Sequence, residues 1–157
     1  MVNIHDYLID QSGKDWAVLL ADWVPPLPSD FTVWMVNRFG DVFATFDDGS
    51  IHMLDIGGGS ATQLATNRED FITQIGNDET ADNWLLMSLT NACVASGMTL
   101  KNNECYSFKI PPLLGGLYEV DNIEPTDLSV HYSFLADIYI QTKDLPEGSK
   151  VNFKFIG

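Results

Sequence analysis

The stretch that decides the fold is Thr32 to Ala65, TVWMVNRFGDVFATFDDGSIHMLDIGGGSATQLA. It divides into four short runs, TVWMVN, DVFATF, SIHMLD and SATQLA, in which strand-like alternation replaces helical spacing. Between them stand Phe39-Gly40, Asp47-Asp48-Gly49 and Gly57-Gly58-Gly59, turn chemistry in which glycine reaches φ > 0 without a Cβ clash. Connections this short join antiparallel neighbours, because parallel strands need a long crossover. The expectation is a four-stranded antiparallel meander over residues 32–65.

On either side of this block the period is helical. Upstream, Asn3 to Gln11 reads as a short helix with Ile4, Tyr7 and Leu8 on one side. A second helix starts at an Asp15 N-cap. It carries Trp16, Leu19, Leu20 and Trp23 as one apolar stripe and ends before Pro25 and Pro26. Downstream, Thr66 and Glu69 have capping-box spacing ahead of Phe71, Ile72 and Ile75. A longer helix is expected from Asp78 to Ser96, with Ala81, Trp84, Leu85, Leu89 and Ala92 on the face that packs on the sheet and Gly97 after its end. Beyond it, DLSVHYSFLADIYIQ reads as a strand near Leu128 to Tyr132 followed by a helix. A strand block flanked by helices makes the class α+β. At 157 residues, the expectation is a single domain over 1–157 with a short helical lead-in over 1–25.

Charge narrows the function. Eight Lys and Arg stand against 22 Asp and Glu, for a net charge of −14. Nucleic-acid affinity depends on cations that neutralise phosphates, so neither direct DNA or RNA binding nor an anionic membrane is expected as a partner. An acidic surface draws basic partners. Cys93 and Cys105 form no C-x-x-C unit and read as reduced thiols. The N-terminus has acids where a signal peptide has lysines, and the aliphatic run Ala17–Ala21 is far too short to span a bilayer. The expected location is the cytoplasm.

Enzyme motifs fare poorly. IGGGSAT lacks the third glycine of a dinucleotide fingerprint and the lysine of a phosphate loop, and a strand, not a helix, follows it. His5, His52 and His131 are scattered, so no metal site and no cofactor is expected. Asp47, Asp48 and Asp55 read as turn and strand-end residues rather than paired catalytic carboxylates. The alternatives to a binding protein are a small-molecule enzyme using His52, Asp55 or Cys105, or an accessory scaffold protein of a secretion or phage-like locus.

The segment CYSFKIPPLLGGLYEVDNI, Cys105 to Ile123, interrupts regular structure in an apolar setting. Pro111 and Pro112 fix φ and remove two donors, while Gly115 and Gly116 permit a reversal. The expectation is a rigid structural turn over Cys105–Tyr118, with Leu113, Leu114 and Tyr118 packed inward. Acids follow it at Glu119, Asp121 and Glu124. Together with Asp41, Asp47 and Asp48 in the hairpin turns, and with Tyr118, they make the candidate partner-binding set. The hairpin-turn acids are expected on the surface.

The Cys105-to-Gly116 block, with Tyr118-Glu-Val-Asp-Asn-Ile123 and Thr126-Asp-Leu-Ser-Val-His131, resembles the bacterial family known as domain of unknown function 1851. The likeness extends through Phe39-Gly-Asp-Val-Phe43, Leu54-Asp-Ile56, Trp84 and Leu145-Pro-Glu-Gly148, about residues 30–150. It departs at Ala136-Asp-Ile-Tyr139, where the family pattern reads Gly-Gln-Ile-His. The family includes the C-terminal domain of an immunity protein that neutralises a type VI secretion DNase effector. The resemblance implies a non-catalytic α+β protein that occludes a toxin, with a basic, nearby-encoded toxin as the expected partner.

Overall fold

The computed structural model describes residues 3–145. The 32–65 block forms the expected meander, β1 (Thr32–Val36), β2 (Val42–Thr45), β3 (Ile51–Asp55) and β4 (Ser60–Ala65) in sequential order, each pair antiparallel. Helices α1 (Trp16–Leu19), α2 (Arg68–Ile75), α3 (Asp78–Leu85), α4 (Met87–Ala95) and α5 (Leu128–Thr142) surround it. A second antiparallel pair, β5 (Glu104–Phe108) and β6 (Ile123–Asp127), lies outside the meander. The fold is α+β.

Alternation along the strands gives the sheet two apolar faces. Val36, Val42, Ala44 and Leu54 pack with Leu20 and Trp23 and with Leu128, Tyr132, Leu135 and Ile138 of α5. Phe43, Ile51 and Ala65 point the other way, onto Phe71 of α2 and Leu85 of α3. A third cluster, Phe39, Cys93, Tyr106, Phe108 and Ile123, joins the β1–β2 turn to α4 and the β5–β6 hairpin. Each fully buried large side chain contributes about 1.5–3 kcal/mol. Two hydrogen bonds fix α5 in place: Trp23 Nε1–H donates to the Tyr132 carbonyl at 3.1 Å, and the Tyr132 hydroxyl to the Gly40 carbonyl in the β1–β2 turn at 2.8 Å.

Several expected elements differ in detail. The first helix is only a 3₁₀ turn, Ile4–Tyr7, because Leu8 and Ile9 run on beside β1, bridging to Asn37 and bonding to the Val36 carbonyl. The second begins at the Asp15 cap as expected, but tightens after Leu19 into a 3₁₀ turn, Ala21–Trp23. Its stripe still faces one core. The capping box before α2 lies one residue later, with Asn67 Oδ1 accepting from the Asp70 amide and Asp70 accepting from the Thr66 amide.

The expected helix 78–96 is two helices, broken at Leu86, whose φ of 50° is left-handed. The break lets α3 cover the meander while α4 turns Leu89 and Cys93 into the third cluster. Asp82 accepts from the Ser88 amide at 2.7 Å and starts the new helix.

The strand expected at Leu128–Tyr132 is instead the first turn of α5. Asp127 ends β6 and caps α5, accepting from the Ser129 and Val130 amides. Leu128, His131, Tyr132, Leu135, Ala136 and Ile138 then form its buried face. Among the described residues no helix is long and apolar enough to cross a membrane. The Pro146-Glu-Gly148 part of the family-like block lies outside the described residues.

Candidate partner-binding face

The Cys105–Tyr118 segment is part strand and part turn. Cys105 to Phe108 belong to β5, and the connection to β6 then spans residues 109–122. Its frame is backbone geometry. Pro112–Leu114 form a 3₁₀ turn, Gly115 follows at φ +90°, and the Gly116 amide bonds back to the Pro111 carbonyl at 3.0 Å. Asn122 staples the two sides. Its Oδ1 accepts from the Ile110 amide, and its Nδ2 donates to the Ile110 and Leu117 carbonyls, all at 2.9 Å.

This frame turns apolar side chains outward. Leu113 packs against the main core, but Leu114 and Tyr118 do not go inward as expected; they are 36% and 47% exposed. Ile110 and Leu117 are more exposed still, at 56% and 59%. The Tyr118 ring meets Phe108 edge-on at 5.3 Å. Glu119, Asp121 and Glu124 are exposed around these residues.

Behind Tyr118 lies a hollow of about 240 Å³ lined by Asp41, Met53, Asp55, Asn83, Leu86 and Tyr118. Asp41, expected on the surface as a turn residue, is buried in its wall, 4% exposed. The β1–β2 turn folds over it. Asn37 Nδ2 donates to its Oδ2 and the Ile56 amide to its Oδ1, each at 3.0 Å. Burial and then the Asp55 carboxylate raise the Asp41 pKa to about 8. Burial also raises Asp55, against the amide of Gly58. Burial and the two carboxylates push the Tyr118 phenol up to about 12.

Asp41 has a measurable consequence. The native state holds its proton between the ordinary carboxylate range and pH 8, where the unfolded chain does not. Stability therefore falls as pH rises through that window. Between pH 6.5 and 8.0 the expected loss is up to about 2 kcal/mol, roughly 4–8 °C in Tm. His131, whose pKa is lowered to about 4 by burial, works in the opposite sense, but only through the unfolded state near pH 6.5, where it offsets the loss by about 0.4 kcal/mol. Asp55→Asn removes the Coulombic part, leaves the larger burial part, and should shrink the loss in thermal melts at the two pH values. An unchanged loss would mean that Asp55 does not act on Asp41.

Asp47 and Asp48 are exposed in the β2–β3 turn, as expected. Six residues separate Asp41 from Asp47 along β2, about 20 Å at strand rise. The structure thus puts Asp47 and Asp48 at one end of the sheet and Tyr118 with the hollow at the other. Asp48 accepts from both the amide and hydroxyl of Ser50, whose Oγ lies 2.8 Å from His52 Nε2. That is a hairpin staple, since the carboxylate bonds the serine rather than orienting the imidazole. Ser50 is buried.

The groups of the enzyme alternative do not share one face. His52 stacks on Phe46 at 3.7 Å, and its place three residues from Asp55 on one strand points it to the opposite face. Cys105 is fully buried, and burial first of all lifts its thiol well above the usual range. Among the described residues no group of three or more His, Cys, Asp or Glu is placed to hold a metal ion.

Sequence reasoning missed Ile110, Leu117 and the Asp41–Asp55 hollow. The available signal was Asn122, an amide placed where it can close a loop.

No curated protein matches the chain. A solved structure, the crystal structure of Atu4351 from Agrobacterium tumefaciens, is similar at TM-score 0.46 and 19% identity, over 68% of this chain. The chain spans 53% of that protein's length. Residues 65–139, from the end of β4 through most of α5, match the family described as "T6SS immunity protein Tdi1, C-terminal". Over the helices α2–α4, the β5–β6 hairpin and its outward loop, this chain therefore resembles that type VI immunity family.

Proposed function

We propose that this protein is an immunity protein that binds and occludes a cognate type VI effector. The observation that carries the reading is the family match over residues 65–139, which supports an immunity role and a protein effector as partner. A net charge of −14 suits a basic partner, and by resemblance that partner is a DNase effector whose cationic cleft this protein covers in the cytoplasm. Tyr118, Glu119, Asp121 and Glu124 lie in or beside the β5–β6 loop and are the favoured contacts. Asp47 and Asp48 extend the acidic field from the far end of the sheet, and Asp41 acts only from behind Tyr118. Charge on such a face speeds encounter, while buried aromatic anchors set the lifetime.

The test is expression of the adjacent reading frame in cells, alone and together with this protein. Toxicity alone and growth with both is the expected result. A toxic product that this protein does not restrain, and with which it forms no complex at micromolar concentration, ends the reading for that pair.

A further inference from the structure

The β5–β6 loop holds more apolar surface in solvent than its own packing requires. Ile110, Leu117 and Tyr118 are each about half exposed or more. Their backbones are held close together, because the Ile110 and Leu117 carbonyls share the Asn122 amide at 2.9 Å, and Tyr118 is the next residue. Leu114 adds to the apolar surface at 36% exposure.

The loop is also fixed before any partner arrives. The Leu113 amide bonds to the Gly57 carbonyl at 3.0 Å and the Lys109 amide to the Asn122 carbonyl at 2.7 Å. The Ile110 carbonyl passes so close to Gly116 that a Cβ there would lie 1.6 Å from its oxygen. A rigid apolar surface loses little conformational entropy on binding, and a contiguous exposed patch rimmed by polar groups marks an interaction site. Here the rim is acidic, with Glu119, Asp121 and Glu124 exposed and Lys109 the one cation in the loop.

We infer that this loop is the protein's docking knuckle, with Ile110, Leu117 and Tyr118 seating in an apolar cleft of the effector that is bordered by lysine and arginine. The inference rests on the immunity reading and names the chemistry of its partner surface. Charge decides the occupant: a second copy, itself −14 overall, would set one acidic rim against another, whereas a cation-rimmed cleft matches both the centre and the rim. The anchors govern dissociation and the acids govern encounter.

The experiment measures association and dissociation rates against the product of the adjacent gene at 50 and 300 mM salt. The proteins compared are wild type, Ile110→Ser with Leu117→Ser, Glu119→Lys with Asp121→Lys, and Val18→Ser. Val18 is 71% exposed on α1 and serves as an apolar control. Both substitutions at the knuckle are on exposed side chains, and a melt of each variant establishes that it is folded.

The serine pair should weaken Kd about 30-fold or more, mainly by faster dissociation. The lysine pair should slow association at 50 mM salt, and the deficit should shrink at 300 mM, because screening acts over about 10 Å at 0.1 M. Val18→Ser should match wild type. A folded serine pair that binds within threefold of wild type overturns the knuckle and leaves the immunity reading standing. A wild-type dimer that the serine pair makes monomeric also overturns it, since the occupant is then a second copy. If wild type forms no complex at all, the reading and the inference fall together.

Discussion

Replacing Gly116 with valine is expected to cost this protein about 3 kcal/mol or more, roughly 6–12 °C in Tm for a chain of this size. A Cβ at this position would stand 1.6 Å from the Ile110 carbonyl oxygen and 2.6 Å from its carbon. Neither atom can retreat easily, because Asn122 Nδ2 holds that oxygen at 2.9 Å. Gly115→Val separates the causes. Its φ of +90° strains any branched side chain, yet nothing lies within 4 Å of a Cβ there, so only backbone strain of about 1–3 kcal/mol is expected. Thermal melts of both variants rank them. A Gly116→Val protein that melts with wild type would show the loop to be slack, and an outward Ile110–Leu117 pair would lose its structural support.

Truncating Phe71 to alanine should be at least as damaging, at about 3–5 kcal/mol. Phe71 is 1% exposed and meets three rings, Trp34 at 4.8 Å, Phe43 at 5.7 Å and Trp84 at 5.0 Å. Two of those rings belong to the meander and one to α3, so this side chain joins the family-matching region to the sheet that precedes it. Chemical denaturation at constant m-value reads the loss directly. In cells expressing the effector, protection should fall with the amount of folded protein, while purified folded variant keeps the wild-type affinity. A stability change below 1 kcal/mol would show that the aromatic cluster closes without it.

The meander was legible in the sequence because two independent signals agreed there: alternation along each run and glycine-bearing turns between runs. The Trp16–Trp23 stripe was legible for the same reason, since one core receives all of its large side chains even though the helix tightens. The break at Leu86 left no mark, because leucine does not announce a left-handed conformation. The β6 strand was hidden by Pro125, which sits opposite Tyr106 in a two-stranded ladder with a free edge. Counting His131 as polar likewise disguised the buried face of α5.

At the candidate face, the acids that follow the turn were readable, but the apolar contacts were not. An isoleucine and a leucine in sequence suggest interior, and only the closure of the loop on Asn122 turns them out. Asp41 shows the reverse error. A turn aspartate suggests solvent, but the amides of Asn37 and Ile56 bring this one inside.

The left-handed residue between α3 and α4 also has a mechanical meaning. An unbroken helix from Asp78 to Ala95 would be a lever about 27 Å long, with one end over the meander and the other against the Val120–Asn122 turn that α4 touches. Force applied to the loop would then tilt the cover of the sheet. Leu86 is a joint in that lever, and it sits in the wall of the hollow beside Tyr118. With the joint there, α3 need not follow α4, and the loop's direct tie to the sheet is the bond from the Leu113 amide to the Gly57 carbonyl.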